Sequence, residues 1–263
     1  MKDRGHKSAI IACAAVMEEL FSFLPDGMDR FSLDPELHRR PAELHRIIQK
    51  NIDHLSKMAA ENGSPLNVIL GCGLCSQALE GIKAENCRLI IPRVDNCIAI
   101  FLGSRQAYRQ QLICRPGTYF LTGGWVKSAN TPFHEYRLAT RRFGKKKARS
   151  LLKIMMARYR RLALIHTGQY EIGLYRRYAR RVARILGLDY EEIQGSTLLL
   201  EKMPAGPWDE DFIVVNPGEE VRLADFFINP WEECKQTAKG GWGKVMLGAN
   251  LAPRRLKKEE EDG

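Results

Sequence analysis

Three cysteines stand where a short apolar run gives way to a turn. Cys13 closes Ala9-Ile10-Ile11-Ala12-Cys13, Cys75 ends Gly71-Cys72-Gly73-Leu74-Cys75, and Cys97 ends Pro92-Arg93-Val94-Asp95-Asn96-Cys97. If the runs are neighbouring parallel strands, their carboxyl ends converge in one crevice, which is where α/β proteins bind ligands. Three thiolates meeting there, with Cys72 nearby, form a soft donor set suited to zinc, copper(I) or an iron–sulfur centre. Three protein ligands with one position open describe a catalytic metal more than a structural one. Zinc could use that position to activate a substrate thiol, and the unligated iron of a four-iron cluster could bind substrate directly. The residues do not choose between these, nor against three separately buried core cysteines. A second Cys-x-x-Cys, which a zinc ribbon needs, is absent.

Polar residues share these turns. Arg93 can hold a carboxylate or phosphate with its planar fork. Asp95 can orient a ligand, bind a metal or act as a base, and it or Asn96 can equally cap a helix. Trp125, in Gly123-Gly124-Trp125, can pave a pocket or simply pack. His38 precedes a helix on a loop, where a ligand or anion contact competes with a capping or surface role. His166, at the exit of another apolar run, is a second-tier candidate.

The elements that must position these groups follow from hydrophobic period. Strands are expected at 9–15, 31–34, 66–70, 88–91 and 116–122, and helices from Met17, from Pro41, at 76–82 and from Ser104. Pro41 suits the first turn of its helix, and Leu44, Ile48, Ile52 and Leu55 give the apolar stripe. Gly123-Gly124 reads as a flexible turn. Further strands are expected at 162–166, 192–200 and 212–215, with a helix over 170–186. The fold class is therefore α/β, with mostly parallel sheets flanked by helices in two Rossmann-like lobes. The expected division is 1–130 for the cysteine-bearing lobe, 131–235 for a second lobe and 236–263 for a charged flexible tail.

The 263 residues are 44% hydrophobic and can bury a sizeable core. No apolar run approaches the ~20 residues that span a bilayer, and no signal-peptide pattern opens the chain. Both point to a soluble cytoplasmic protein without a membrane partner. The net charge of +10 suits an anionic partner. Much of it lies in 137–184, where Tyr175 and Tyr178 interleave with arginines. No complete nucleic-acid motif accompanies them, so a docking patch for an acidic protein is preferred over an RNA-binding module. There is no Walker motif and no Gly-x-Ser-x-Gly elbow, and the glycines near Gly71 have the wrong spacing for a dinucleotide fingerprint.

The sequence resembles a family of unknown function found in anaerobic bacteria, methanogenic archaea and some other bacteria. The resemblance rests on Ile11-Ala12-Cys13, the Asp34 to His38 segment before Pro41, Gly73-Leu74-Cys75, Ile91-Pro92-Arg93 through Cys97-Ile98, Leu102-Gly103-Ser104, Tyr108, Pro116-Gly117 and Gly124-Trp125. Gly195-Ser196, Trp208, Phe212 and Pro217-Gly218 match more loosely. It implies site roles for Cys13, His38, Cys75, Arg93, Cys97 and Ser104. It also implies one-carbon metabolism beside corrinoid-dependent methyltransferases, with the corrinoid on a partner protein and a small anionic or methylated substrate. The family commonly has His-Asp-Cys where this chain has Asp95-Asn96-Cys97, and Cys72 is an addition. The expectation is a thiolate-metal protein holding zinc or an iron–sulfur cluster through Cys13, Cys75 and Cys97, with Arg93 and Asp95 as catalytic groups and His38, Ser104 and Trp125 at the cofactor. Whether it is an enzyme, a metal-dependent methyltransferase or iron–sulfur enzyme, is left open. The alternative is an accessory protein that docks an acidic corrinoid partner through its basic lobe.

Overall fold

Short Val-, Ile- and Leu-rich runs closed by turns build the first sheet of the computed structural model, which describes residues 7–128 and 131–227. In chain order the elements are β1 (Lys7–Cys13), α1 (Ala14–Leu20), β2 (Asp29–Leu33), α2 (Pro41–Asn62), β3 (Leu66–Gly71), β4 (Cys87–Pro92), α3 (Cys97–Phe101), α4 (Arg105–Cys114), β5 (Thr118–Leu121) and α5 (Gly123–Lys127). Then come α6 (Pro132–Met156), β6 (Arg161–His166), α7 (Ile172–Leu186), β7 (Asp189–Gln194), α8 (Leu198–Ala205) and β8 (Phe212–Val215). The first sheet has the order β2-β1-β3-β4-β8. Its first four strands are parallel and β8 runs antiparallel along β4. The second sheet, β5-β6-β7, is parallel throughout. The α/β class with mostly parallel, helix-flanked sheets is thus as expected.

Both faces of the first sheet are covered. Ala9, Ile11, Val68, Leu70, Leu89 and Ile91 meet Leu44, Ile48, Ile52 and Leu55 of α2. Ile10, Ala12, Ile69 and Ile90 face the other way, toward Val16 and Leu20 of α1 and Leu199, Leu200 and Met203 of α8. Each such side chain contributes roughly 1.5–3 kcal/mol on burial. Pro41 starts α2, and Gly63, at φ 59°, ends it. The left-handed cap lets its N–H reach back to the last turn, which a glycine does without strain.

The sheets divide the chain differently from the expected boundary at residue 130. β5 precedes that boundary yet opens the second sheet, and β8 follows it yet closes the first. The reason is a shared core: Ile165 of β6, with Phe120 and Ile193 against it, packs in the same cluster as Ile10, Ile69 and Phe101. The described residues up to Phe226 accordingly belong to one unit. The expected tail, 236–263, lies outside the described residues.

Three local expectations are corrected. Residues 76–82 form turns and no helix, because Cys75, Ser76 and Gln77 take φ of 46°, 58° and 68°. Gly123-Gly124-Trp125 begins α5, with the Thr122 hydroxyl accepting from the Trp125 N–H at 3.3 Å. The expected strand at 192–200 ends at Gln194, and its apolar half becomes α8, whose Leu199 and Leu200 enter the shared core. Among the described residues no helix is long and apolar enough to cross a membrane.

Candidate functional site

The strand order places a topological switch between β1 and β3. The chain leaves β1 for β2 on one side and returns to β3 on the other. Crevices form above such points, at the carboxyl ends of the strands. Cys13 is the last residue of β1 and the first cap of α1, and Cys72 directly follows β3. Gly73 brings the next turn close: a Cβ there would sit 2.7 Å from the Asn96 nitrogen and the Val94 oxygen. The Leu74 N–H donates to Val94 O at 3.0 Å and the Cys75 N–H to Asp95 O at 3.2 Å. These contacts set the Cys75 turn beside Cys97, the first residue of α3. Gly124 does the same for α5, since a Cβ there would meet Ala15 O at 2.2 Å. That approach lays Trp125 against the start of α1.

The thiols are close enough to act on one another. Burial raises the Cys97 thiol well above its ordinary pKa, and the charges of Cys13 and Cys75 raise it further. Cys75 is pushed up to about 12 by burial, with Cys13 adding to the effect. Cys72 is raised by burial and then by Cys75 and Cys13. Cys13 is raised by burial and by the Asp34 charge, against the lowering effect of the Ala15 and Val16 N–H groups. All four are therefore neutral thiols near pH 7, not the thiolates that nucleophilic cysteines require. The Trp125 indole N–H lies near Cys97 and lowers its pKa, yet Nε1 is buried without a hydrogen bond of normal geometry. His38 stands edge-on to Trp125 with ring centroids 5.3 Å apart, its Nδ1 tied to Pro35 O. Tyr108 reaches Asn96 and lies near Cys97.

Cys13, Cys75, Cys97, Trp125 and His38 are thus brought to one place, with Cys72. Three other candidates are occupied elsewhere. Asp95 takes a paired contact from Arg105, at 2.9 and 3.2 Å, and Arg105 also donates to Phe226 O. Arg93 turns to β8, with Nη2 3.3 Å from Phe212 O, and its Nε is buried without a partner. Ser104 caps α4, its hydroxyl accepting from Ala107 N–H at 3.0 Å, and Asn96 caps α3 from the Ile98 N–H at 3.0 Å. His166 leans on Tyr170 at 5.8 Å. The donor set fits a soft metal in kind. In arrangement it does not close around an ion: among the described residues no three His, Cys, Asp or Glu side chains are placed to hold one.

Sequence reasoning misses Glu19. A helical register from Ala14 places it on the face of Ala15 and Val16, and it is buried at 2% exposure. Its Oε2 accepts the Thr167 hydroxyl, and burial pushes its pKa up to about 7.

No curated protein and no solved structure matches the chain. A family model described as "Protein of unknown function (DUF1638)" matches residues 32–203, a span that holds Cys75, Cys97 and Trp125. The chain, matched over more than half its length, belongs to this family of unknown function.

Proposed function

We propose that the crevice of Cys13, Cys75 and Cys97 is the seat of a thiolate-bound metal centre, zinc or iron–sulfur, acting in or beside corrinoid-dependent one-carbon transfer. The observation that carries this reading is the approach of thiols from three separate loops at the carboxyl edge of the sheet, with no cation among the described residues acting to favour their anions. Neutral, half-buried thiols are poor nucleophiles, whereas a soft cation would pair with all three charges at once. Cys13, Cys75 and Cys97 would be the ligands once their loops draw inward from the open arrangement described above, and the metal would then supply Lewis acidity or a substrate-binding iron. The chain's own part is to shield the site with Trp125 and His38, and to offer the indole N–H to an acceptor atom of a small substrate. The run of positive φ at Cys75, Ser76 and Gln77 costs about 1–2 kcal/mol per residue, and such strain gathers at functional turns. The link to corrinoid chemistry comes from the family resemblance alone.

Anaerobically purified protein should hold metal that Cys97→Ser loses. Brown protein would indicate iron–sulfur, and colourless protein with zinc the other branch. Because the thiols must shed protons to bind, apparent affinity should fall as pH is lowered. Metal-free wild-type protein, or equal metal in both variants, would end the proposal.

A second reading rests on a different surface. The second half of α6 buries Ala148, Leu152 and Met156 and leaves Leu151, Ile154 and Met155 exposed. On α7, Arg176 pairs with Glu192 at 2.7 Å, while among the described residues Arg177 and Arg184 form no ion pair. An apolar face on α6 and arginines without an ion pair on α7 each suit an acidic protein partner, whose binding should weaken steeply with salt.

A further inference from the structure

Glu19 is a buried acid with no ion-pair partner among the described residues, set at the seam between the two sheets. It lies on α1, and its Oε2 accepts the hydroxyl of Thr167, just past the end of β6. Thr122 and the Gly124 N–H, at the start of α5, are near enough to favour its anion. Even so, Oε1 is buried without a hydrogen bond of normal geometry. The groups facing it do not neutralise it. Lys127 of α5 is taken by Glu18 at 2.5 Å. Tyr170 donates to Ile165 O and, if ionised, would only add negative charge. Of the other elements packed on α1, α8 carries Lys202, held by Asp209 and Asp211, and β2 carries Arg30, which stacks on Phe21 and donates to Pro25 O. A carboxylate here would be a buried charge with incomplete hydrogen bonding, which is costly, whereas a neutral acid both donates and accepts.

We infer that Glu19 is a proton-carrying positioning residue: the donors that Thr122, the Gly124 N–H and Thr167 turn toward it tie α5 to the second sheet and hold Trp125 against the thiol crevice, and a change in its protonation alters that hold. The path is short. Gly124 touches Ala15, Trp125 follows it, and the indole lies by Cys97. The inference concerns the wall of the crevice and does not depend on a metal being held there.

The test follows the Trp125 indole N–H by nitrogen-15 NMR in metal-free protein, the signal being identified by its loss in Trp125→Phe. In wild type it should move with pH about a midpoint near 7. In Glu19→Gln, which mimics the neutral acid, it should stay at the low-pH position. Thr167→Val removes a donor that favours the anion, so the midpoint should rise, and this variant serves if Glu19→Gln does not fold. An indole signal that ignores pH in wild type, a titration unchanged in Glu19→Gln, or an unmoved midpoint in Thr167→Val would overturn the inference. Protein that leaves anaerobic purification without metal yet titrates removes only the metal proposal, and protein that leaves it with metal but, once stripped, does not titrate removes only this one.

Discussion

The carboxyl edge of the first sheet gathers sulfur and that of the second gathers oxygen, with α5 standing between them. Burial acts on both in the same direction, raising the pKa of each acid by penalising its charged form. The consequences differ because the starting points differ. A thiol that begins near the alkaline side is driven to about 12 at Cys75 and stays neutral throughout the physiological range. A carboxyl that begins low is brought to about 7 at Glu19 and is poised to change charge there. One edge is silent toward protons until a cation arrives, and the other responds to protons alone.

Substitution of the shared helix is the strongest way to break this contrast. Gly124→Ala should destabilise the protein by more than about 3 kcal/mol, beyond the usual overpacking cost, because the new methyl would meet the Ala15 backbone oxygen at 2.2 Å. Denaturant unfolding would measure it, and the loss should spread to both edges. Glu19 sharpens the contrast. Below its ordinary value of 4.5 both native and unfolded chains hold its proton, and between 4.5 and about 7 only the native chain does. Rising pH therefore removes stability across that window, by about 3 kcal/mol in total, and the loss is complete above it. Glu19→Gln should flatten this dependence and leave the protein more stable than wild type at alkaline pH, as read from urea midpoints. The smallest effect is expected at Ser104. Ser104→Ala should cost about 1 kcal/mol through the lost helix cap and leave metal content and the Trp125 signal unchanged. A large effect on either would return Ser104 to the site.

Strands were readable where apolar runs end in glycine or proline, as at Leu70-Gly71 and Ile91-Pro92, since both sheet faces demand continuous hydrophobicity. The gathering of Cys13, Cys75 and Cys97 followed from the same signal, once parallel neighbours were assumed. The roles of Asp95 and Ser104 were not readable. Asp95 is engaged by Arg105, a contact that depends on where α4 starts, and a serine before a helix looks alike whether it caps or binds. Gly123-Gly124 misleads for a physical reason. Two glycines ordinarily argue for a loose turn, but here bare backbone is what lets α5 lie against Ala15 and Tyr170. Glu19 escaped because an acid beside Glu18 reads as a solvated pair, and only tertiary packing separates one that meets Lys127 from one that meets Thr167.

β8 bears on how the chain matures. It pairs with β4, Pro92 opposite Phe212, so the whole second sheet is threaded between two adjacent strands of the first. During synthesis β4 emerges long before its antiparallel neighbour. Until β8 arrives, the nascent chain presents a bare edge of unpaired backbone, open to mispairing. A truncation before Phe212 would leave that edge exposed for good, so such fragments should aggregate rather than yield a smaller folded protein.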